Sequence, residues 1–158
     1  MEFNGLMAAF GDEIGIADLR PDEDGICNLA FDGMNVSFTS VPETERLAVW
    51  AEIGEMPPEG GDRLCRAMME AMFMGQATAG ASFSINGETG RIYLQRIESL
   101  RGLDFDEFRV MVEKFVNTLE QWRKLTAEYR PVAAEVQRIQ AEERAEASAF
   151  GVSGFMQV

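Results

Sequence analysis

The sequence contains no histidine. That absence removes Ser-His-Asp and Cys-His nucleophile systems and the commonest zinc ligand together. Cysteine is scarce. Cys27 and Cys65 stand in unrelated contexts, without a CxxC spacing or a disulfide framework, and both are expected to be buried structural thiols. No Lys/Arg cluster is present among only 14 basic residues against 27 acidic ones, for a formal net charge of −13. Nucleic acid and anionic membrane both require a basic footprint, so neither is expected as a partner. No apolar run approaches the roughly 18 residues of a membrane-spanning helix. Met1-Glu2-Phe3-Asn4 lacks the basic region and apolar stretch of a secretory signal, and a cytoplasmic location is expected. No GxGxxG or GxxxxGK[ST] run cradles a phosphate, so no nucleotide cofactor and no metal are expected. Acidic residues are so common that paired carboxylates carry little information about acid/base chemistry.

What is present is one domain's worth of apolar sequence, 46% hydrophobic over 158 residues. Phe3, Leu6, Met7, Phe10 and Ile14 recur three or four apart over 2–16, one stripe of an amphipathic helix weakened by Gly5 and Gly11. After an acidic loop at 18–25, two alternating runs meet at Asp32-Gly33, a pair suited to a tight hairpin turn with positive φ. That turn sets Phe31 against Met34, Leu29 against Val36 and Cys27 against Phe38, with all six side chains on one face. Leu47, Val49, Ala51 and Ile53 alternate with Ala48, Trp50 and Glu52 in a third strand. A helix is expected over 62–77 with Asp62 at its N-cap, then strands at 81–85 and 92–97 around the turn Asn86 to Gly90.

Asp104 and Glu107 have capping-box spacing, and Phe108, Met111, Val112, Phe115, Leu119, Trp122 and Leu125 carry the stripe of a long last helix. Arg130-Pro131 is expected to stop or kink it. Residues 132–149 form a thinly apolar helical arm with Val132, Val136 and Ile139, and a tail follows that holds Phe155 and Met156. The expected fold is α+β, a five-stranded antiparallel sheet with helices packed against it. It divides into a domain at 1–130 and a C-terminal helical extension and tail at 131–158.

The helix at 62–77 is apolar nearly all round. Leu64, Met68 and Met72 make one stripe and Cys65, Met69 and Phe73 a second. Such a helix is buried on both sides. Its own sheet supplies one cover, and the other comes either from the last helix of the same chain or from a second copy. The sequence does not say which stripe faces outward.

The order helix, three strands, helix, two strands, long helix resembles the class I type III secretion chaperones, the family that includes the Tir chaperone of pathogenic bacteria. The run Leu47-Ala48-Val49-Trp50-Ala51-Glu52-Ile53-Gly54, the helix Leu64 to Phe73 and Phe105-Asp106-Glu107-Phe108 carry the likeness, which spans 2–129. The resemblance implies a cytoplasmic homodimer joined through the middle helix. It also implies a non-globular segment of a secreted effector wound around the dimer, and no ATP hydrolysis. On this reading Leu64, Cys65, Met68, Met69, Met72 and Phe73 form the dimer interface. Phe3, Leu6, Met7 and Phe10, more large apolar groups than a weak helix needs for docking alone, are expected with Trp50 to offer the client its anchors; completing the core or the dimer is the alternative role for them. The protein is expected not to be an enzyme. A regulatory or scaffolding protein on the same fold, without a secretion client, is the alternative function, and an enzyme using carboxylates or Cys65 is the more distant one.

Overall fold

The computed structural model describes residues 2–152. The side chains of Pro42 and, between 130 and 152, of all but Arg138, Ala141, Glu142, Arg144 and Ala145 fall outside that description. In chain order the elements are α1 (Phe3–Ile14), β1 (Ile26–Phe31), β2 (Met34–Val41), β3 (Arg46–Glu55), α2 (Gly61–Met72), β4 (Ser82–Ile85), β5 (Arg91–Ser99) and α3 (Phe105–Val152). The strands form one antiparallel sheet in the order β1-β2-β3-β5-β4.

The hairpin takes the register that its residues dictate, with Cys27 opposite Phe38, Leu29 opposite Val36 and Phe31 opposite Met34. Asp32 and Gly33 both adopt positive φ, 46° and 78°, as a two-residue turn matched to strand twist requires. Leu47, Val49, Ala51 and Ile53 of β3 and Ile92 and Leu94 of β5 continue the same apolar face, all of them buried. α1 and α3 lie on that face. Phe10 meets Phe108 edge-on at 5.4 Å between ring centroids, and Phe38 lies 6.2 Å from Phe108. Trp122 of α3 packs edge-on against Phe83 of β4 at 4.7 Å. These contacts join both helices and both halves of the sheet in one apolar cluster.

α1 ends at Ile14 with Gly15 left-handed as its cap, and Gly11 in its last turn makes room for the returning chain. A Cβ there would stand 2.6 Å from Leu19 Cβ and 2.7 Å from the Ile16 carbonyl. The glycine that weakens the helix by propensity is what lets the loop fold back beneath it.

Three boundaries differ from the sequence expectation. α2 starts at Gly61 with Gly60 as its cap, so Asp62 lies within the first turn and makes no capping bond. It still sits at the positive end of the helix dipole. The same helix stops at Met72, because Phe73 leaves helical geometry at ψ 119°, and a 3-10 turn, Phe73–Gly75, follows with Met74 left-handed at φ 57°. α3 runs through Pro131 as one helix of 48 residues. One proline removes one backbone donor, and the carbonyl four residues before it belongs to exposed Ala127, where solvent can replace the bond. The box at its start is as expected: the Glu107 amide donates to Asp104 Oδ1 at 2.9 Å and the Asp104 amide to Glu107 Oε2 at 3.3 Å. Val132, Val136 and Ile139 have side chains outside the described set, and Phe155 and Met156 lie outside the described residues.

Candidate binding surfaces

The middle helix settles its own orientation. Leu64 is fully buried and Met68 is 3% exposed, and the two sit in the apolar cluster of the chain. Met72 is half-buried and its sulfur accepts from the Phe83 amide at 3.3 Å. That stripe therefore faces inward. Met69 and Phe73 are 69% and 77% exposed, Cys65 is exposed beside them, and Met74 beyond the helix end is 76% exposed. α3 does not cover this second stripe. Cys65, Met69 and Phe73 line an open groove of about 820 Å³ rimmed by Asp62, Arg63, Arg66 and Glu70. An apolar floor with a charged rim is the anatomy of a protein interface.

The expectation of two buried thiols holds for only one of them. Cys27 is buried in β1, where burial, with Asp22 nearby, pushes its thiol above the ordinary range. Cys65 is exposed, because an apolar helical context does not reveal which side of the helix is free.

The four residues expected to anchor a partner from α1 lie elsewhere than on the surface. Phe3, Leu6, Met7 and Phe10 are all buried in the core of the chain, which corrects the reading of them as surplus apolar groups. The first helix is weak by propensity, so it needs all four to dock at all. Arg109 of α3 adds an ion pair to Glu13 at 3.7 Å.

Trp50 points away from that core, on the opposite face of the sheet. The strand registers set it in one row with Asn28, Ser37, Gln95 and Ser82. Ile26, Thr39, Ala48 and Ile97 form the adjacent row, and Glu52, Tyr93 and Ser84 the row on the other side. None of Trp50, Tyr93 and Ile97 packs against the core cluster, and Ile97 is 56% exposed. The polar groups of this face are partly engaged with one another: Ser37 Oγ donates to Asn28 Oδ1 at 2.6 Å and Ser84 Oγ to Gln95 Oε1 at 3.3 Å. Arg91 donates to Glu52 at 2.5 Å, and that hydrogen bond, reinforced by the carboxylate's charge, raises the guanidinium pKa further. Indole, phenol and isoleucine among polar side chains form a platform that works through side chains at Trp50, where β3 is paired on both edges, with β2 and with β5. Sequence reasoning found Trp50 and missed Tyr93 and Ile97. The signal was the same alternation read for β3, with Tyr93 and Ile97 out of phase with buried Ile92 and Leu94. Among the described residues no group of three His, Cys, Asp or Glu side chains is placed to hold a metal ion. No helix among them is long and apolar enough to cross a membrane.

The fold is shared. A chain of the ExsC–ExsE complex superposes with a TM-score of 0.66 at 23% identity, covering 80% of this chain and 97% of that one. The HopA1–SchA chaperone–effector complex follows with a TM-score of 0.65 at 15% identity, over 77% and 93% of the two chains. The ExoT–SpcS complex from Pseudomonas aeruginosa gives 0.56 at 16% identity, over 75% and 91%. No curated protein matches in sequence. The model of the Tir chaperone protein (CesT) family matches residues 5–123, from the first helix to the Trp122 contact that closes the core, and the chain belongs to that family.

Proposed function

We propose that this chain is a type III secretion chaperone that binds a non-globular segment of a secreted effector in the cytoplasm, without ATP hydrolysis, as a homodimer. The observation that carries the reading is the outward stripe of α2 in a chain of this family. Cys65, Met69 and Phe73 are exposed on an apolar groove in the single chain, and a second copy supplies the matching surface by two-fold symmetry. The inward residues Leu64, Met68 and Met72 act by holding α2 against its own sheet.

The client's place is the outer face of the sheet, with Trp50 as its anchor. Family membership supports a polypeptide client, and an indole in a row of amides and hydroxyls holds an extended chain through side-chain contacts. The two edge strands, β1 and β4, remain open to backbone pairing with the same segment. The net charge of −13 keeps a dimer with such surfaces soluble.

Co-expression with a secreted protein encoded beside it, followed by limited proteolysis, tests the reading. A stable complex protecting a segment without a fold of its own is expected, and Trp50→Ala weakens that complex while the dimer mass and far-ultraviolet circular dichroism stay unchanged. A protected client that is globular, or capture indifferent to Trp50→Ala, would place the site or the function elsewhere.

A further inference from the structure

Four of the ten methionines fall at 68, 69, 72 and 74, and the structure sorts them into two environments. Met68 and Met72 face the core, while Met69 and Met74 are 69% and 76% exposed beside Phe73. Leucine would supply the same apolar area there; a thioether adds susceptibility to oxygen transfer. We propose that Met69 and Met74 are a modification site at which peroxide oxidation holds the chain as a monomer. The inference rests on the dimer reading above.

The chemistry is balanced by the peroxide alone. The thioether sulfur gives two electrons and takes one oxygen atom, the O–O bond breaks, and the second oxygen leaves as water. The product is a chiral, strongly polar sulfoxide in place of an apolar group. Within the groove floored by Cys65, Met69 and Phe73, closure against a second copy would move that sulfoxide from water onto an apolar floor, where the donors of its own chain are confined to the rim guanidiniums of Arg63 and Arg66. Separated chains expose both sulfurs, whereas the closed dimer shields Met69. Oxidation therefore captures the monomer, and dimerisation protects against oxidation. Met68, packed in the core at 3% exposure, is spared in either state.

The test uses the full chain and hydrogen peroxide, followed by dithiothreitol to reverse any sulfenic acid or disulfide at Cys65. Peptide mass mapping is expected to place the added oxygens at Met69 and Met74 and not at Met68. Sedimentation equilibrium is expected to show the dimer dissociation constant raised about tenfold or more per sulfoxide buried, with far-ultraviolet circular dichroism unchanged. Methionine sulfoxide reductases A and B together restore the starting value. The variant Met69→Leu/Met74→Leu, compared only with its own untreated state, loses this response. A dimer that survives sulfoxide formation at both sites overturns this inference alone, as does a double variant that still dissociates under peroxide. An untreated chain that is monomeric overturns the dimer reading and this inference with it.

Discussion

Met68 and Met69 are neighbours in sequence about 100° apart around one helix, one facing the core and the other solvent, so the same substitution at each separates folding from association. Met68 is 3% exposed inside the core cluster. A glutamate there is an unpaired charge in apolar surroundings, at a cost of several kcal/mol on top of the lost methionine packing. Against the roughly 5–15 kcal/mol that stabilise a small domain, Met68→Glu leaves little folded protein at 37 °C. Met69 is 69% exposed, and Met69→Glu changes the monomer's stability by no more than about 0.5 kcal/mol. In a two-fold dimer through α2 it places two like charges in one apolar interface. A cost of several kcal/mol raises the dissociation constant by about three orders of magnitude. Light scattering reads the mass, and thermal melts by circular dichroism read the fold. The expected pair is an aggregated or unfolded Met68→Glu and a well-folded, monomeric Met69→Glu. A Met69→Glu chain that remains dimeric at micromolar concentration would refute the assignment of the α2 stripe to the interface; a cooperatively melting Met68→Glu would refute its place in the core.

Phe10→Ala removes the ring that meets Phe108 edge-on and is expected to cost about 3–5 kcal/mol, seen as a shifted denaturation midpoint; a value under about 1 kcal/mol would return Phe10 to the surface role first expected of it. In the native protein Ellman's reagent titrates Cys65 fast and Cys27 only on unfolding, since burial and Asp22 hold the Cys27 thiol protonated. The sign follows: a raised thiol pKa in the fold means that the native state keeps a proton the unfolded chain releases, so this contribution to stability is lost as pH rises above the ordinary thiol range. Truncation after Arg130 is expected to leave the melting temperature within a few degrees, because the last described side chains packed on the core are Trp122, Thr126 and Tyr129. Thr126 Oγ1 is buried without a hydrogen-bond partner among the described residues, so Thr126→Val is expected to be neutral or to raise the melting temperature by a few degrees; a clear loss would reveal a bound water or partner there.

The strands were legible because each physical constraint on them is local. Alternation decides the face, and Asp32-Gly33 decides the register of the hairpin to the residue. The start of α3 was legible for the same reason, since both halves of its capping box lie within four residues. Burial was less legible because it is a relation between elements. The stripes of α2 are alike in sequence, and only the seat of Leu64 and Met68 against the sheet shows that Cys65, Met69 and Phe73 are the free side. The apolar groups of α1 looked surplus when set against a weak helix alone, whereas the core that needs them is assembled from β1, β2 and α3. The early end of α2 came from an extended Phe73 followed by a left-handed Met74, residue types that seldom mark a helix end.

The continuous α3 has a hydrodynamic consequence. Its residues up to Tyr129 pack on the body, and 130–152 continue the helix for about 35 Å at 1.5 Å per residue. A compact body of the size covered by the family match has a radius of gyration of only about 14 Å. The chain is thus a ball with a rod, and friction in solution follows the rod. A monomer carrying this helix elutes from a sizing column ahead of globular standards of its own mass, toward the position of a compact dimer. Column calibration therefore overstates the mass of this protein, while light scattering or sedimentation equilibrium reads it directly. The chain cut after Arg130 should slow its passage through the column by more than its lost mass accounts for.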